Sequence, residues 1–347
     1  MNHGGAAARR PAHHSDGGMA MGVRAGVKTW TGVKTWATLL ALALAAPPAL
    51  ALDKVTIGET GSGSATHWPT YVAMSKGFFK ALDIEVEFVP APSSAAVMQQ
   101  LAAGSLALGV SGPGDALRAI DKGAPVRLLR VESQTAPYEV MGKPIYKSLA
   151  DLRGKIVMVG GAKDITRYYI DRMAAPLGVK PGDYDFVFAG ATSQRFAALQ
   201  SGSIDATILN APFNFKAKAA GFVSLGITGD MVKDIPFGML SVNRAWALAN
   251  KSTVGRVMEG FARGVNWFYD PANREEAIDI FQKISKSDRD EAAKTYDFYI
   301  AIKMFDPVGA IDSPGLASLL ADMKRDGDLE GTTDLARFFD PALLPQK

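Results

Sequence analysis

Residues 89–114 read VPAPSSAAVMQQLAAGSLALGVSGPG, and residues 187–212 read VFAGATSQRFAALQSGSIDATILNAP. The two stretches align at an offset of 98 residues without a gap, so that LAAGS in the first matches LQSGS in the second. A repeat of this length is far longer than a solenoid unit. It predicts two similar α/β lobes in one polypeptide, with a ligand cleft between them.

Strand and helix patterns alternate around both copies, as successive βαβ units require. We predict that residues 52–141 and 242–347 form a first lobe that includes the C-terminal helices, and that residues 142–241 form a second lobe. Two segments, near 138–147 and 229–245, are expected to cross between the lobes. The predicted fold class is therefore α/β, with a doubly wound sheet and flanking helices in each lobe.

Residues 1–51 have the features of a cleaved export signal. A basic region precedes the apolar run ATLLALALAAP, and the small-residue signal ALA at 49–51 predicts Leu52 as the mature N-terminus. Initiation at Met19 or Met21 would give the signal an ordinary length, so the start codon stays open. The chain has no cysteine to carry a lipid anchor, and we expect a free periplasmic protein.

Composition excludes several classes of function. Beyond residue 51 the chain has 33 basic and 34 acidic residues and no basic block, so no nucleic acid partner is expected. Without cysteine there are no thiolate metal sites and no cysteine nucleophile. Three of the four histidines lie in the leader, and His67 alone cannot build a multi-histidine metal site. Asp and Glu oxygens could still bind calcium, but no EF-hand-like spacing is present, and we expect neither a metal nor a cofactor.

Three segments carry a family resemblance: AAVMQQLAAGSLALGVSG, SLADLRGKIVMVGGAKD and AALQSGSIDATILNAPF. They resemble the periplasmic substrate-binding proteins of ABC importers, in the nitrate/sulfonate/taurine and THI5-like group. The resemblance implies a type II Venus-flytrap fold and a monomer that closes by hinge motion around a small solute. It also implies delivery of that solute to an ABC permease, which a separate ATPase drives. Sulfonates, carboxylates, nitrate-like anions and pyrimidine-like molecules are the solutes that it suggests.

The chain departs from this group at two points. Ala107 stands where the group often has Asp, whereas the second copy keeps Asp205. The eukaryotic pyrimidine-synthesising relatives need a cysteine-rich signature that this chain lacks. A periplasmic sensor with the same fold and an exported enzyme of the THI5-like group are the alternative functions. Two near-matches to enzyme motifs, GSGSAT at 61–66 and GVSGP at 109–113, each miss a required glycine.

Candidate ligand residues lie where strands end and helices begin, because ligands of doubly wound sheets bind at the carboxyl ends of the strands. Helix N-termini and nearby cations favour an anionic ligand. The candidates are Ser62, Ser64, His67, Trp68, Ser111, Gly112, Gly161, Lys163, Thr166, Arg167, Asn210 and Phe213.

Some of these residues have an equally simple structural interpretation. Arg167 could be a solvated helix residue, and Trp68 and Tyr71 could be core aromatics. Phe213 could pack rather than line the cleft, and Asp115 could cap a helix.

Overall fold

The computed structural model describes residues 52–60, 63–232, 235–311 and 314–343. The predicted leader and Ser62 lie outside these residues. In the described part of the chain, ten strands form two sheets of five strands each. No helix there is both long and apolar enough to cross a membrane.

Strands and helices alternate in the first part of the chain, and all its strands join the first sheet. These elements are β1 (Asp53–Thr60), α1 (Trp68–Ser75), β2 (Ile84–Ala91), α2 (Ser94–Ala102), β3 (Leu108–Ser111), α3 (Pro113–Asp121) and β4 (Val126–Ser133). Strand β1 pairs in parallel with both β2 and β3. Parallel neighbours need a helical crossover, which α1 and α2 provide.

The next part of the chain builds the second sheet in the same way. Its elements are β5 (Tyr138–Gly142), β6 (Ile156–Val159), α4 (Ile165–Ala174), β7 (Asp185–Phe188), α5 (Thr192–Gln200), β8 (Ala206–Asn210), α6 (Phe213–Ala219), β9 (Val223–Ile227) and α7 (Thr228–Met231). The chain then adds one strand to the first sheet and continues as helices. These are β10 (Gly238–Asn243), α8 (Arg244–Ala249), α9 (Lys251–Tyr269), α10 (Arg274–Ser285), α11 (Arg289–Ala301) and α12 (Pro314–Arg325).

The two sheets have the same strand order. The first is β2-β1-β3-β10-β4 and the second is β7-β6-β8-β5-β9. In each, the fourth strand is antiparallel to its neighbours and follows a crossing from the other sheet. The predicted two-lobed α/β fold is therefore confirmed. We call the first sheet with α1–α3 and α8–α11 lobe I, and the second sheet with α4–α7 lobe II.

The predicted lobe boundaries at 141/142 and 241/242 are wrong by a few residues. Strand β5 pairs with β8 and β9, so the first crossing lies at 134–137 rather than at 138–147. Strand β10 pairs with β3 and β4 from Gly238 onward, which places the return before 242. The sequence pattern showed both strands, but strand pairing decides which lobe each belongs to.

The repeated glycine stops the same helix in both lobes. Gly104 follows α2 with φ of 75°, and Gly202 follows α5 with φ of 77°. Glycine adopts this left-handed conformation without strain and therefore commonly ends helices. Each copy uses it to turn the helix into the following buried strand.

Helices α9 and α10 pack on α1, as predicted for the C-terminal region. Gly264 of α9 lies so close that an added Cβ would come within 2.4 Å of the Pro69 carbonyl oxygen. The last helix differs from this prediction. Its apolar residues Leu316, Leu319 and Met323 share one buried cluster with residues of both sheets, so α12 contacts lobe II as well.

Candidate functional site

A cavity of about 840 Å³ lies between the lobes. Lobe I contributes the loops that follow β1, β2 and β3, and lobe II contributes the equivalent loops after β6, β7 and β8. The turn between α10 and α11 also borders the cavity. This is the position predicted from the repeat, because each loop leads from a strand end to a helix start.

Most of the predicted ligand residues do line this cleft. They are Ser64, His67, Ser111, Gly112, Gly161, Lys163, Asn210 and Phe213. Some of their polar groups are already engaged within the protein: the Ser111 hydroxyl donates to the Gly112 carbonyl, and the Ser64 hydroxyl pairs with that of Thr66.

Trp68 is wrongly predicted as a cleft residue. Its side chain is fully buried in lobe I, where it stacks on Phe281 with ring centroids 4.2 Å apart. The indole Nε1 donates to the Ala277 carbonyl oxygen at 2.9 Å. Burial and a satisfied N–H make Trp68 an anchor for α10 on α1, as its structural interpretation proposed.

Thr166 and Arg167 also lie outside the cleft. Thr166 is buried, and its hydroxyl joins the Asp164 carboxylate to the Gly160 amide, which fixes the start of α4. The Arg167 guanidinium donates to the Ala162 carbonyl and borders a separate cavity of about 190 Å³. Both residues face away because α4 turns their side chains toward its own N-terminal loop.

His67 borders the cleft as part of a buried polar cluster. Its Nε2 lies 3.8 Å from the Glu59 carboxylate, which also accepts a hydrogen bond from the Tyr71 hydroxyl at 2.8 Å. Burial raises the pKa of Glu59 to about 7 and lowers the pKa of His67 to about 4. Between about pH 4 and pH 7 the neutral histidine therefore faces a neutral carboxylic acid, and both groups are uncharged.

Arg195 of α5 is a cleft residue that the sequence prediction missed. Its side chain is 1% exposed. Its Nε donates to the Ile208 carbonyl at 3.0 Å, and Nη1 donates to the Ala189 and Gly190 carbonyls. Its Nη2 donates to the Thr192 hydroxyl, so all of these acceptors are neutral, and no carboxylate among the described residues forms an ion pair with Arg195. The cleft wall thus holds a buried cation without a counter-ion.

The repeat contained the signal for Arg195. At the offset of 98 residues, Arg195 aligns with Val97, which is 0% exposed in the core of lobe I. An arginine in place of a core valine needs a polar environment, because burying a charge in an apolar one is costly. Comparing the two copies position by position would have shown this exception.

Among the described residues, four helices that begin at the cleft lack a side-chain cap: α1, α3, α5 and α6. The N-cap residues of α3 and α5 are Gly112 and Ala191, and neither provides a side-chain acceptor. In contrast, Ser93 caps α2 and Asp164 caps α4. Uncapped N–H groups and the helix dipole both favour an anion at α3 and α5.

The remaining charged groups of the cleft are mostly paired. Arg118 donates to the Asp115 carboxylate at 2.7 Å, and Lys216 lies 3.2 Å from Glu291. Lys163 forms an ion pair with Asp328. Five lysines and arginines but only three aspartates and glutamates border the cavity, so its formal charge is positive.

The arrangement of two such lobes around a cleft is the periplasmic binding protein fold, and solved structures share it. The aliphatic sulphonate-binding protein of Escherichia coli matches with a TM-score of 0.69 at 18% identity, over 83% of this chain and 97% of that one. The alkanesulfonate-binding protein of Xanthomonas axonopodis pv. citri, solved with MOPS, matches with a TM-score of 0.68 at 16% identity, over 84% and 97%. The nitrate-binding protein of Synechocystis matches with a TM-score of 0.65 at 16% identity, over 82% and 84%.

Residues 64–274 match the model of the NMT1/THI5-like family, and the chain belongs to that family. A 4-amino-5-hydroxymethyl-2-methylpyrimidine phosphate synthase of Saccharomyces cerevisiae is 25% identical over 162 residues. That alignment covers 46% of this chain and 46% of the synthase, so the chain spans about half the length of the curated relatives it matches. The resemblance found in the sequence is thereby confirmed at the level of family and fold.

Proposed function

We propose that this chain is the extracytoplasmic solute-binding component of an ABC importer. The proposal rests on the cleft between the two lobes and on the similarity of the fold to binding proteins for sulfonate and nitrate. The lobes would close around the solute and present it to a membrane permease. The export signal predicted in residues 1–51 agrees with a periplasmic location.

The buried guanidinium of Arg195 is the observation from which we infer the sign of the ligand's charge. Neutral carbonyl groups satisfy its N–H donors but do not neutralise its charge, which is stabilised further when an anion enters the cleft. The uncapped start of α5 adds its dipole at the same wall. We therefore propose that the solute is an anion.

The size and walls of the cleft favour an organic anion over an inorganic one. Its volume of about 840 Å³ falls in the range of sites for drug-sized molecules. Tyr138, Phe213 and Phe237 border it, and they offer ring faces to an apolar body. An inorganic anion would leave these aromatic side chains in contact with water, whereas an aryl or branched alkyl group would bury their apolar surface.

A thermal-shift screen tests this function with matched ligands. Benzenesulfonate and benzoate are compared with nitrate and sulfate, and also with the neutral benzenesulfonamide. A ligand present at 100 times its dissociation constant stabilises the folded state by about 2.7 kcal/mol. We expect the organic anions to raise the melting temperature and the sulfonamide to have little effect. A preference for the neutral compound would refute the anion proposal.

The role of Arg195 is tested by comparing two arginine variants of lobe II. Arg195→Met removes the buried charge, and Arg167→Met removes a charge outside the cleft as a matched control. Loss of a charged interaction of about 1.5–3 kcal/mol weakens anion binding by roughly 10- to 100-fold. Arg167→Met should leave affinity unchanged. Equal effects of both variants, in folded protein, would assign Arg195 a purely structural role.

The synthase activity of the yeast relatives is not the function that we propose. The chain lacks cysteine, and so it lacks the cysteine-rich signature of those enzymes. Mass spectrometry of protein incubated with the screened ligands would detect chemical turnover. Recovery of an altered ligand would favour the enzyme alternative over the binding protein.

A further inference from the structure

Two lysines of lobe II border the cleft, and each pairs with a carboxylate from the C-terminal part of the chain. Lys163, in the loop before α4, pairs with Asp328. Lys216, on α6, lies 3.2 Å from the Oε1 atom of Glu291 on α11. The C-terminal region therefore contacts lobe II at two places, the loop before α4 and helix α6.

Asp328 is the more deeply buried of the two carboxylates, with 7% of its side chain exposed. Besides Lys163, it accepts a hydrogen bond from the Tyr168 hydroxyl of lobe II. The Arg118 guanidinium of lobe I lies 3.7 Å away. One carboxylate therefore joins groups from both lobes, and Arg118 extends the connection to Asp115 in the cleft.

Helix α12 and the residues after it form a strap between the lobes. On lobe II, Arg172 donates from Nε to the Asp322 carboxylate at 2.6 Å and from Nη2 to the Ser318 hydroxyl at 2.7 Å. On lobe I, the Asp121 carboxylate accepts from the Gly331 amide and pairs with Arg337 at 2.8 Å. The strap thus binds lobe II through residues before Asp328 in the sequence and lobe I through residues after it.

The contact between α6 and α11 forms the second connection. Beside the Lys216–Glu291 ion pair, the rings of Phe215 and Phe298 meet edge to face with centroids 5.9 Å apart. Opening the cleft by a hinge motion would separate these side-chain contacts.

We infer that the C-terminal region is a two-point clasp that keeps the lobes together before ligand arrives, with Asp328 and Glu291 as its positioning residues. Its consequence for affinity rests on the proposed binding function. A protein held in its competent arrangement binds more tightly, because the apparent dissociation constant scales inversely with the competent fraction. The clasp also orients Lys163 and Lys216 at the border of the cleft.

The distance between the lobes tests the clasp directly in ligand-free protein. Gln99 and Ala197 occupy equivalent positions on α2 and α5, are exposed, and do not line the cleft. Since the chain has no cysteine, Gln99→Cys with Ala197→Cys accepts spin labels at those sites alone. Wild-type background should give one narrow distance distribution, and Asp328→Asn with Glu291→Gln should add a longer-distance population.

Two further variants separate the clasp from general damage. Asp297→Asn removes an ion pair with Arg274 that lies within lobe I, and it should leave the distance unchanged. Glu291→Gln alone should broaden the distance distribution, and exchanging the charges of the pair, Lys216→Glu with Glu291→Lys, should keep it narrow. If Asp328→Asn does not fold, titrating the labelled wild-type background with salt gives the same readout, because salt screens the partly exposed Lys216–Glu291 pair.

An unchanged distance in the folded double variant, or a broad distribution already in the wild-type background, would overturn the clasp. With a benzenesulfonate-type ligand, we expect the double variant to raise the dissociation constant about 3- to 10-fold, mainly through faster release. A distance change without any ligand binding would support the clasp and count against the proposed function. Tighter binding in the double variant would show that Asp328 and Glu291 compete with the ligand instead.

Discussion

The buried pair of Glu59 and His67 makes a sharp prediction about stability and pH. Glu59 is 3% exposed and His67 4% exposed, and the Glu59 carboxylate accepts a hydrogen bond from the Tyr71 hydroxyl. Glu59→Gln keeps an acceptor for Tyr71 but cannot ionise. His67→Gln removes the second titrating group at similar polarity.

The expected magnitude follows from the protons that each state binds. The pKa of Glu59 rises from 4.5 to about 7 on folding, and the pKa of His67 falls from 6.5 to about 4. Between pH 4.5 and 6.5 the unfolded chain holds one proton, on His67, and the folded protein holds one, on Glu59. The two contributions therefore cancel in the wild type.

Either substitution removes this cancellation, and the resulting pH dependences of the unfolding free energy have opposite signs. In Glu59→Gln only the unfolded state binds the proton, so stability falls as pH is lowered from 6.5 toward 4. In His67→Gln only the folded state binds it, so stability falls as pH rises from 4.5 toward 7. Each slope is up to about 1.4 kcal/mol per pH unit relative to wild type.

Urea unfolding at pH 4.5, 5.5 and 6.5 measures these slopes. Subtracting the wild-type free energy at each pH removes the titration of the other carboxylates. The two variants should diverge from wild type in opposite directions across this range. Three parallel curves would show that the pair is not buried as described, and a single variant that runs parallel to wild type would show that the group it replaces retains its ordinary pKa.

Three further predictions concern the framework of the site. Gly264→Ala should lower the free energy of unfolding, measured with urea, by about 1–3 kcal/mol, because the added Cβ would meet the Pro69 carbonyl. Gly255→Ala is the control: its Cβ would enter open space, and the free energy of unfolding should rise by about 0.5–1 kcal/mol. Trp68→Phe should lower the melting temperature through loss of the bond to the Ala277 carbonyl, and calorimetric ligand affinity should stay at the wild-type value, since the side chain does not line the cleft. Asp205→Ala should cost about 2 kcal/mol near neutral pH, because it removes the acceptor of Lys143, Tyr146 and the Ile156 amide. The pKa of Asp205 is lowered by those partners, so the difference from wild type should shrink as pH falls below the usual range, and a constant difference would contradict this assignment.

The sequence was sufficient to predict the fold because each local signal agreed with the repeat. The alternation of strands and helices and the glycine that ends the helix, Gly104 or Gly202, recur in both copies, so two lobes and a cleft follow. The lobe boundaries did not follow, because β5 and β10 have strand patterns that suit either sheet. Their membership depends on antiparallel pairing between distant segments, which local patterns do not specify.

The site was predicted well by position along the chain and less well by side-chain direction. Loops at strand ends held most of the cleft residues, but Trp68, Thr166 and Arg167 sit one or two residues too far into their helices. A helix rotates each successive side chain by about a quarter of a turn, so proximity in sequence does not keep residues on one face. The replacement of Asp by Ala107 also has a structural explanation. In lobe I the Thr56 hydroxyl accepts from the Ala107 amide, whereas in lobe II Asp205 accepts from the Ile156 amide at the matching place.

The comparison of the two copies also explains why a symmetric scaffold can bind an asymmetric solute. At the offset of 98 residues, Arg118 of α3 aligns with Lys216 of α6, so both lobes direct a cation at the cleft from equivalent helices. Each of these cations is neutralised by a carboxylate, Asp115 or Glu291. The copies differ at Val97 and Arg195, where only lobe II buries an unneutralised charge. If the solute is the organic anion proposed above, its charged end should therefore lie toward lobe II and its apolar body toward lobe I. The variant Arg195→Val makes the two copies alike at this position and removes the charge difference between the lobes. It should therefore reduce the ratio of the affinity for anions to the affinity for their neutral analogues.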